Sequence, residues 1–283
     1  LADAMSDDAL QSLVVYMPMD RRHAMVAGRT LPDRQYGAAL FADISGFTQL
    51  TEALVRELGA QRGAETLTIY LNLVYDAVVD EVHRFGGSVV AFAGDAITCW
   101  FDDNDPALGR HGAGLAAAGA ALAMQEAMRK FAALKTPAGS TIALSMKAAV
   151  ASGTARRFAV GDPDIRLLDA LAGETLNRLA RAEHHAAKGE VIVDEPTACL
   201  LAGRPEFEPE FGDERTDDNS GERYRLVRAT LAPLPVRPWP RLATVMLNRK
   251  QLRPWLLAPV HERLRLGRGD FLAELRPTVA LFV

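Results

Sequence analysis

Two short apolar runs, 88–93 and 96–101, are separated only by Gly94-Asp95. A chain closes so short a connection by turning back on itself, so the two runs read as an antiparallel hairpin. The rest of the chain has to be arranged around a sheet of that kind. Gly37-Ala-Ala-Leu-Phe-Ala-Asp43 is a second short apolar run, ending abruptly in an acid, and its length suits a buried strand better than a helix. Ser45 then reads as the N-cap of a following helix. Leu67, Tyr70, Leu71, Val74, Val78, Val82 and Phe85 recur at three- and four-residue steps, which predicts an amphipathic helix over 64–85 that Gly86-Gly87 ends.

Further on, 107–134 reads as a long alanine-rich helix, 141–152 as a strand and 154–160 as its hairpin partner. A helix over about 174–187 and strands at 190–194 and 224–227 complete the pattern. This order predicts an α+β fold with helices packed on an antiparallel-rich sheet. Pro233, Pro235, Pro238 and Pro240 mark a stiff connector. Beyond it, 258–266 reads as a short helix, and Trp239 and Trp255 are expected to pack the connector onto the body. The organisation expected is an N-terminal extension over 1–36, a main domain over 37–229 and a connector over 230–277.

Composition narrows the function classes. Hydrophobic residues at 49% and charged residues at 24% describe a globular protein rather than a disordered one. With 32 Lys plus Arg against 36 Asp plus Glu, the chain lacks the basic face a nucleic-acid partner would need. The small-apolar stretch 112–124 is too short and too rich in Ala and Gly to span a bilayer. Asp3, Asp7 and Asp8 do not fit a secretory leader. Cys99 and Cys199 both lie among apolar neighbours and read as reduced core residues of a cytoplasmic protein. His184-His185 lacks a second ligand pair for zinc. Arg156-Arg157 and Arg178 with Arg181 read as solvated charge.

The chemistry is expected at Asp43 and Asp95. If the hairpin flanks the first strand, the two carboxylates converge at one end of the sheet. Such a pair repels unless it shares a proton or a cation, and its oxygens suit Mg²⁺ or Mn²⁺. Taken singly, Asp43 reads as a helix cap and Asp95 as a turn residue. Asn177 and Arg181 stand four apart on a predicted helix, so they project from one face and can reach one ligand. Arg181 also has a plainer reading, an ion pair with Glu183 or Glu174.

Three words, Phe41-Ala-Asp-Ile-Ser-Gly-Phe-Thr48, Phe92-Ala-Gly-Asp-Ala96 and Gly173-Glu-Thr-Leu-Asn-Arg-Leu-Ala-Arg181, resemble in this order the class III nucleotide cyclases. The likeness is greatest to the catalytic domains of soluble, bicarbonate-responsive adenylyl cyclases, over about 37–194. The resemblance implies a ferredoxin-like βαββαβ core working as a head-to-tail pair with sites at the interface. It implies that Asp43 and Asp95 hold two Mg²⁺ or Mn²⁺, with the backbone carbonyl of Ile44 as a further ligand. Asn177 would orient the ribose and Arg181 would stabilise the transition state. The implied activity is ATP to cyclic AMP and diphosphate in intracellular signal transduction. The alternative is a degenerate module that binds nucleotide or a partner domain without turnover.

The family's two base-selecting positions fall on Ala91 and Ala170, neither of which can hydrogen-bond a purine edge. Asp169 is adjacent, but a one-residue offset on a strand points to the other face. The expectation is relaxed choice between ATP and GTP in a homodimer, or a heterodimer whose other domain reads the base. A lysine used by relatives for bicarbonate is also replaced at Ala91, so bicarbonate control is not expected. The run Thr278-Val-Ala-Leu-Phe-Val283 echoes Ala38-Ala-Leu-Phe-Ala42. It is expected to open a second cyclase domain, which would make this chain the first half of a tandem pair.

Overall fold

The computed structural model describes residues 17–103, 112–242, 247 and 249–265. The centre of the fold is β1 (Arg34–Ser45), whose middle residues Ala38, Ala39, Leu40 and Ala42 have no solvent exposure. Small residues let neighbouring layers come close. A Cβ on Gly37 would lie 2.3 Å from the Phe101 carbonyl oxygen, so only glycine fits there. The expected hairpin is present as β2 (Ser88–Ala93) and β3 (Ala96–Asp102), and β3 pairs antiparallel with β1.

Among the described residues, one helix precedes β1 and two lie between β1 and the hairpin. The first, α1, spans Met19–Val26; the other two, α2 and α3, span Phe47–Leu58 and Ala60–Arg84. Ser45 does not cap α2. Gly46 holds the N-cap position with φ 110°, and Ser45 instead shares a 2.8 Å hydrogen bond with the hydroxyl of Ser145. The long alanine-rich helix is α4 (Gly112–Met128), buried along most of its length and ended by a 3₁₀ turn at Arg129–Phe131. Its expected start at 107 falls outside the described residues.

A short pair, β4 (Leu134–Lys135) and β5 (Thr141–Ile142), precedes the largest departure from expectation. Residues 145–162 form one 18-residue strand, β6 (Ser145–Asp162), where a hairpin with a turn near Gly153 was expected. Gly153 serves close packing instead: a Cβ there would lie 2.6 Å from Thr175 Oγ1. The chain turns at Pro163-Asp164, where Asp162 accepts from the Asp164 and Ile165 amides, and returns as β7 (Arg166–Ala172).

Helix α5 (Glu174–His185), β8 (Val191–Asp194), α6 (Glu195–Ala202), β9 (Pro209–Thr216) and β10 (Arg223–Thr230) follow. The sheet runs β2-β3-β1-β6-β8-β10-β9, with β7 on the far half of β6 and only β6–β8 parallel. Reading β1, α2 with α3, β2, β3, α4 and β6 in order gives βαββαβ. Strand order β2-β3-β1-β6 is the ferredoxin-like arrangement. One sheet face packs against α2, α3 and α4 through Leu40, Val78, Ile97, Phe101 and Met124. The other packs against α5 through Ala39, Trp100, Ala149, Leu179 and Ala182.

Past the sheet, Trp239 Nε1 donates to the Gly87 carbonyl at 2.7 Å, and the ring stacks on His23. Short helices α7 (Arg249–Leu252) and α8 (Ala258–Arg265) follow. Trp255 is buried with Met17, Leu247 and Leu252, so both tryptophans pack the connector onto the body as expected. Three side-chain expectations are corrected. Cys99 is buried, and burial pushes its thiol far up, but Cys199 is exposed on α6. Arg157 is not solvated; it is buried between two aspartates, Asp20 and Asp169. Arg178 is likewise engaged, with Asp194 at 2.9 Å and the Ser152 carbonyl at 2.8 Å. Among the described residues no helix is long and apolar enough to cross a membrane. The run 278–283 lies outside the described residues.

Candidate active site

Strand register sets the site. Asp43 pairs with Ala96 across β1 and β3, so the Gly94-Asp95 turn closes beside the end of β1. The Ile44 amide donates to the Asp95 carbonyl at 3.3 Å, which ties the turn to the strand. Ile44 has a fully buried side chain, so only its backbone is placed to face the site. From the other side, β6 sets Lys147 opposite Asp43, with Nζ 3.8 Å from Oδ2. The same ammonium forms an ion pair with Glu183 on α5.

Burial raises the Asp43 carboxyl above its usual range, and Asp95 raises it further; Lys147 opposes and Glu183 adds. A partly desolvated carboxylate facing another is stabilised by a cation. The donors therefore fit Mg²⁺ or Mn²⁺. Among the described residues no group of three or more His, Cys, Asp or Glu side chains is placed to hold a metal. Two carboxylates alone leave most of a shell to backbone, water and phosphate oxygens, as Mg²⁺ prefers.

Tyr75 was not foreseen as a site residue. Its ring stacks on Phe47 and meets the edge of Phe92, and its hydroxyl lies 3.5 Å from the Gly94 carbonyl. Burial, then Asp95 and Asp43, push its phenol up. The signal was present as a polar-tipped ring beside the apolar stripe of α3.

Asn177 and Arg181 do share one face of α5, and both bond Glu174, at 3.0 and 2.7 Å. Arg181 also forks onto Glu222, at 2.7 and 3.0 Å, and these hydrogen bonds raise its pKa further. So the ion pair with Glu174 exists, Glu183 is not its partner, and Glu222 is one that spacing could not reveal. The helix itself is pinned where Thr175 Oγ1 donates to the Thr154 carbonyl at 2.8 Å. Among the described residues no hydrogen bond or ion pair joins Asn177 or Arg181 to Asp43 or Asp95. The link between α5 and the carboxylates runs through Glu183 and Lys147.

Ala91 is exposed on β2, and Ala170 is half-buried on β7, paired with Phe158. Asp169 is buried and accepts from Arg21 and Arg157. Burial alone would raise its carboxyl, but the two guanidinium groups hold it below the usual range. Its side chain is spoken for by these partners.

No family model matches the chain. It is 36% identical over 98 residues to adenylate cyclase type 10 of Rattus norvegicus, a match covering 33% of this chain. That match spans only 6% of the relative's length. Among solved structures, the adenylyl cyclase CyaB from P. aeruginosa matches with a TM-score of 0.55 at 20% identity, over 71% of this chain and 98% of that one. The guanylate cyclase domain of RhGC from Catenaria anguillulae, solved in complex with GTP, matches with a TM-score of 0.53 at 20% identity, over 69% and 97%. The chain thus has the fold of class III nucleotide cyclase catalytic domains and is homologous to the type 10 adenylate cyclase over a third of its length.

Proposed function

We propose that this chain is a nucleotide cyclase domain that forms cyclic AMP and diphosphate from ATP, as one half of a paired catalytic unit in the cytoplasm. One observation carries the reading: the register that sets the partly buried Asp43 at the end of β1 beside the hairpin turn that carries Asp95. Bound there, two Mg²⁺ or Mn²⁺ would supply the charge that an attacking 3′-hydroxyl and departing phosphates require. Asp43 and Asp95 hold the cations, and the Ile44 carbonyl completes the protein's share. Asn177 orients the ribose. Arg181 offers a planar fork of donors to the charge that develops on the phosphate oxygens.

The paired unit is part of the proposal because Asn177 and Arg181 have no direct contact with the carboxylates. The second domain would come from a second copy or from a continuation of the same chain. Exposed apolar side chains on the hairpin, β6 and β7, Phe92, Phe158 and Leu168, suit such a pairing. With Ala91 and Ala170 at the base positions, GTP should compete with ATP within about tenfold in a homodimer, since neither alanine makes a hydrogen bond that tells the two purine edges apart and what other contacts add is about 1 kcal/mol.

The test is formation of cyclic product from ATP or GTP with Mn²⁺, by the chain alone and mixed with a second cyclase domain. Asp43→Ala and Asp95→Ala should abolish product in either setting while leaving a cooperative melt. Full activity in either variant would contradict the site. Product only in the mixture would support the tandem pair, and robust product from the chain alone would support a homodimer instead.

A second reading, a module that binds without turnover, draws on the two acidic partners of Arg181. Glu222→Gln separates the two. If Arg181 serves the reaction, removing this competitor should raise the rate of cyclic product severalfold; if it only braces α5, no product should form with or without Glu222 and the melting temperature should fall slightly.

A further inference from the structure

Asp20 and Arg21, adjacent in α1, reach three strands of the sheet. The Asp20 amide donates to Ser88 Oγ at 2.9 Å, at the first residue of β2. Its carboxylate accepts from Arg157 of β6, one contact measuring 3.1 Å and the other shorter. Arg21 forks onto Asp169 of β7, with Nε at 2.7 Å and Nη2 at 2.5 Å from the two oxygens. Arg157 closes the ring by donating Nε to Asp169 at 3.2 Å. The Arg21 guanidinium lies 4.6 Å from the centre of the Trp255 ring. Side-chain exposure is 1% for Asp169 and 6% for Arg157, so most of this ring is out of water.

The strands joined in this way carry the two base-selecting positions. Ala91 stands three residues along β2 from Ser88, and Ala170 follows Asp169 on β7; the two strands lie against one another. We infer that Asp20 and Arg21 are positioning residues that set the spacing of β2 and β7, and through it the seating of the purine. The inference rests on the cyclase reading above.

The physical case has two parts. A buried ring of four charges is a poor way to gain stability, because desolvation offsets the attraction and apolar packing would serve as well. A bidentate arginine–carboxylate pair supplies direction and register instead. In addition, neither alanine offers a hydrogen bond that could recentre a base. Seating therefore depends on how β2 and β7 are spaced.

The test replaces Arg21 by Met, which keeps the apolar stem and removes the fork. Binding of methylanthraniloyl-labelled ATP and GTP with Mn²⁺ is followed by fluorescence, together with Mn²⁺ binding alone and, in the active pair, KM and kcat. Arg21→Met should weaken both nucleotides about tenfold through KM, with kcat and Mn²⁺ affinity within about twofold of wild type. Arg21→Lys, which keeps the charge without the fork, should recover part of the loss. Unchanged nucleotide affinity in a cooperatively melting Arg21→Met would overturn the inference and leave the cyclase reading intact. If that variant does not fold, Arg21→Lys decides: about threefold weaker nucleotide binding supports the role, and wild-type affinity refutes it. A wild-type pair that binds neither nucleotide with Mn²⁺ would overturn both readings.

Discussion

At the residue scale, the chemistry was legible where it is written in contiguous words and hidden where it depends on register. Asp43 and Asp95 stand out because an acid ends an apolar run and another fills a two-residue turn. Lys147, Tyr75 and Glu222 carry no such mark. Each reaches the neighbourhood of a candidate residue from a distant part of the chain, Lys147 from β6, Tyr75 from α3 and Glu222 from the loop before β10, and only pairing such as Asp43 with Lys147 reveals it. Cys199 shows the opposite error, since apolar neighbours in sequence did not bury it on a short helix with an outer face. Asp43 also makes a prediction. Its folded carboxyl lies above the ordinary value, so its contribution to stability is complete below the unfolded pKa of about 3.9 and is lost as pH rises through the folded one. Asp43→Asn should therefore raise the melting temperature in chelator at pH 7, by roughly 1–2 °C, and give no gain near pH 3. A lower melting temperature at pH 7 would show that Lys147 outweighs burial and Asp95.

At the scale of elements, the hairpin, the first strand and α5 followed from periodicity and turn chemistry. The single strand β6 did not, because glycine marks both turns and close approaches. Gly153 is the second kind, the point where Thr175 of α5 comes against the sheet. Gly153→Ala should therefore cost about 1–3 kcal/mol, the usual penalty for overpacking, read as a lower urea midpoint with unchanged slope. An unchanged midpoint would mean that α5 can shift to make room. Strand β9 was missed for another reason: Glu210, Asp213, Glu214 and Arg215 leave it no apolar alternation, which an edge strand does not need.

At the scale of the whole molecule, the segments before β1 and after β10 fold back onto the cyclase-like core rather than hanging from it. The ring around Asp20, the Trp239 bond to Gly87 and the buried Trp255 cluster all join them to it. The tryptophans of the connector announced that it would pack down, but nothing in either segment marked the strands and helices it would meet. The docking of α1 has a pH signature. Burial and then Arg22 push His83 down to about 4. Its contribution to stability is present above the unfolded value near 6.5 and is lost as pH falls through about 4, up to about 3 kcal/mol in all. Urea unfolding between pH 7 and pH 4 should show that decline, and His83→Gln should flatten it; an equal decline in the variant would place its origin among the carboxylates. The central claim, that Asp43 and Asp95 form a divalent-cation site, is tested most directly by calorimetric titration of the chain with Mn²⁺. The account predicts saturable binding that is lost in both Asp43→Asn and Asp95→Asn, and an unaltered isotherm in either folded variant would contradict it.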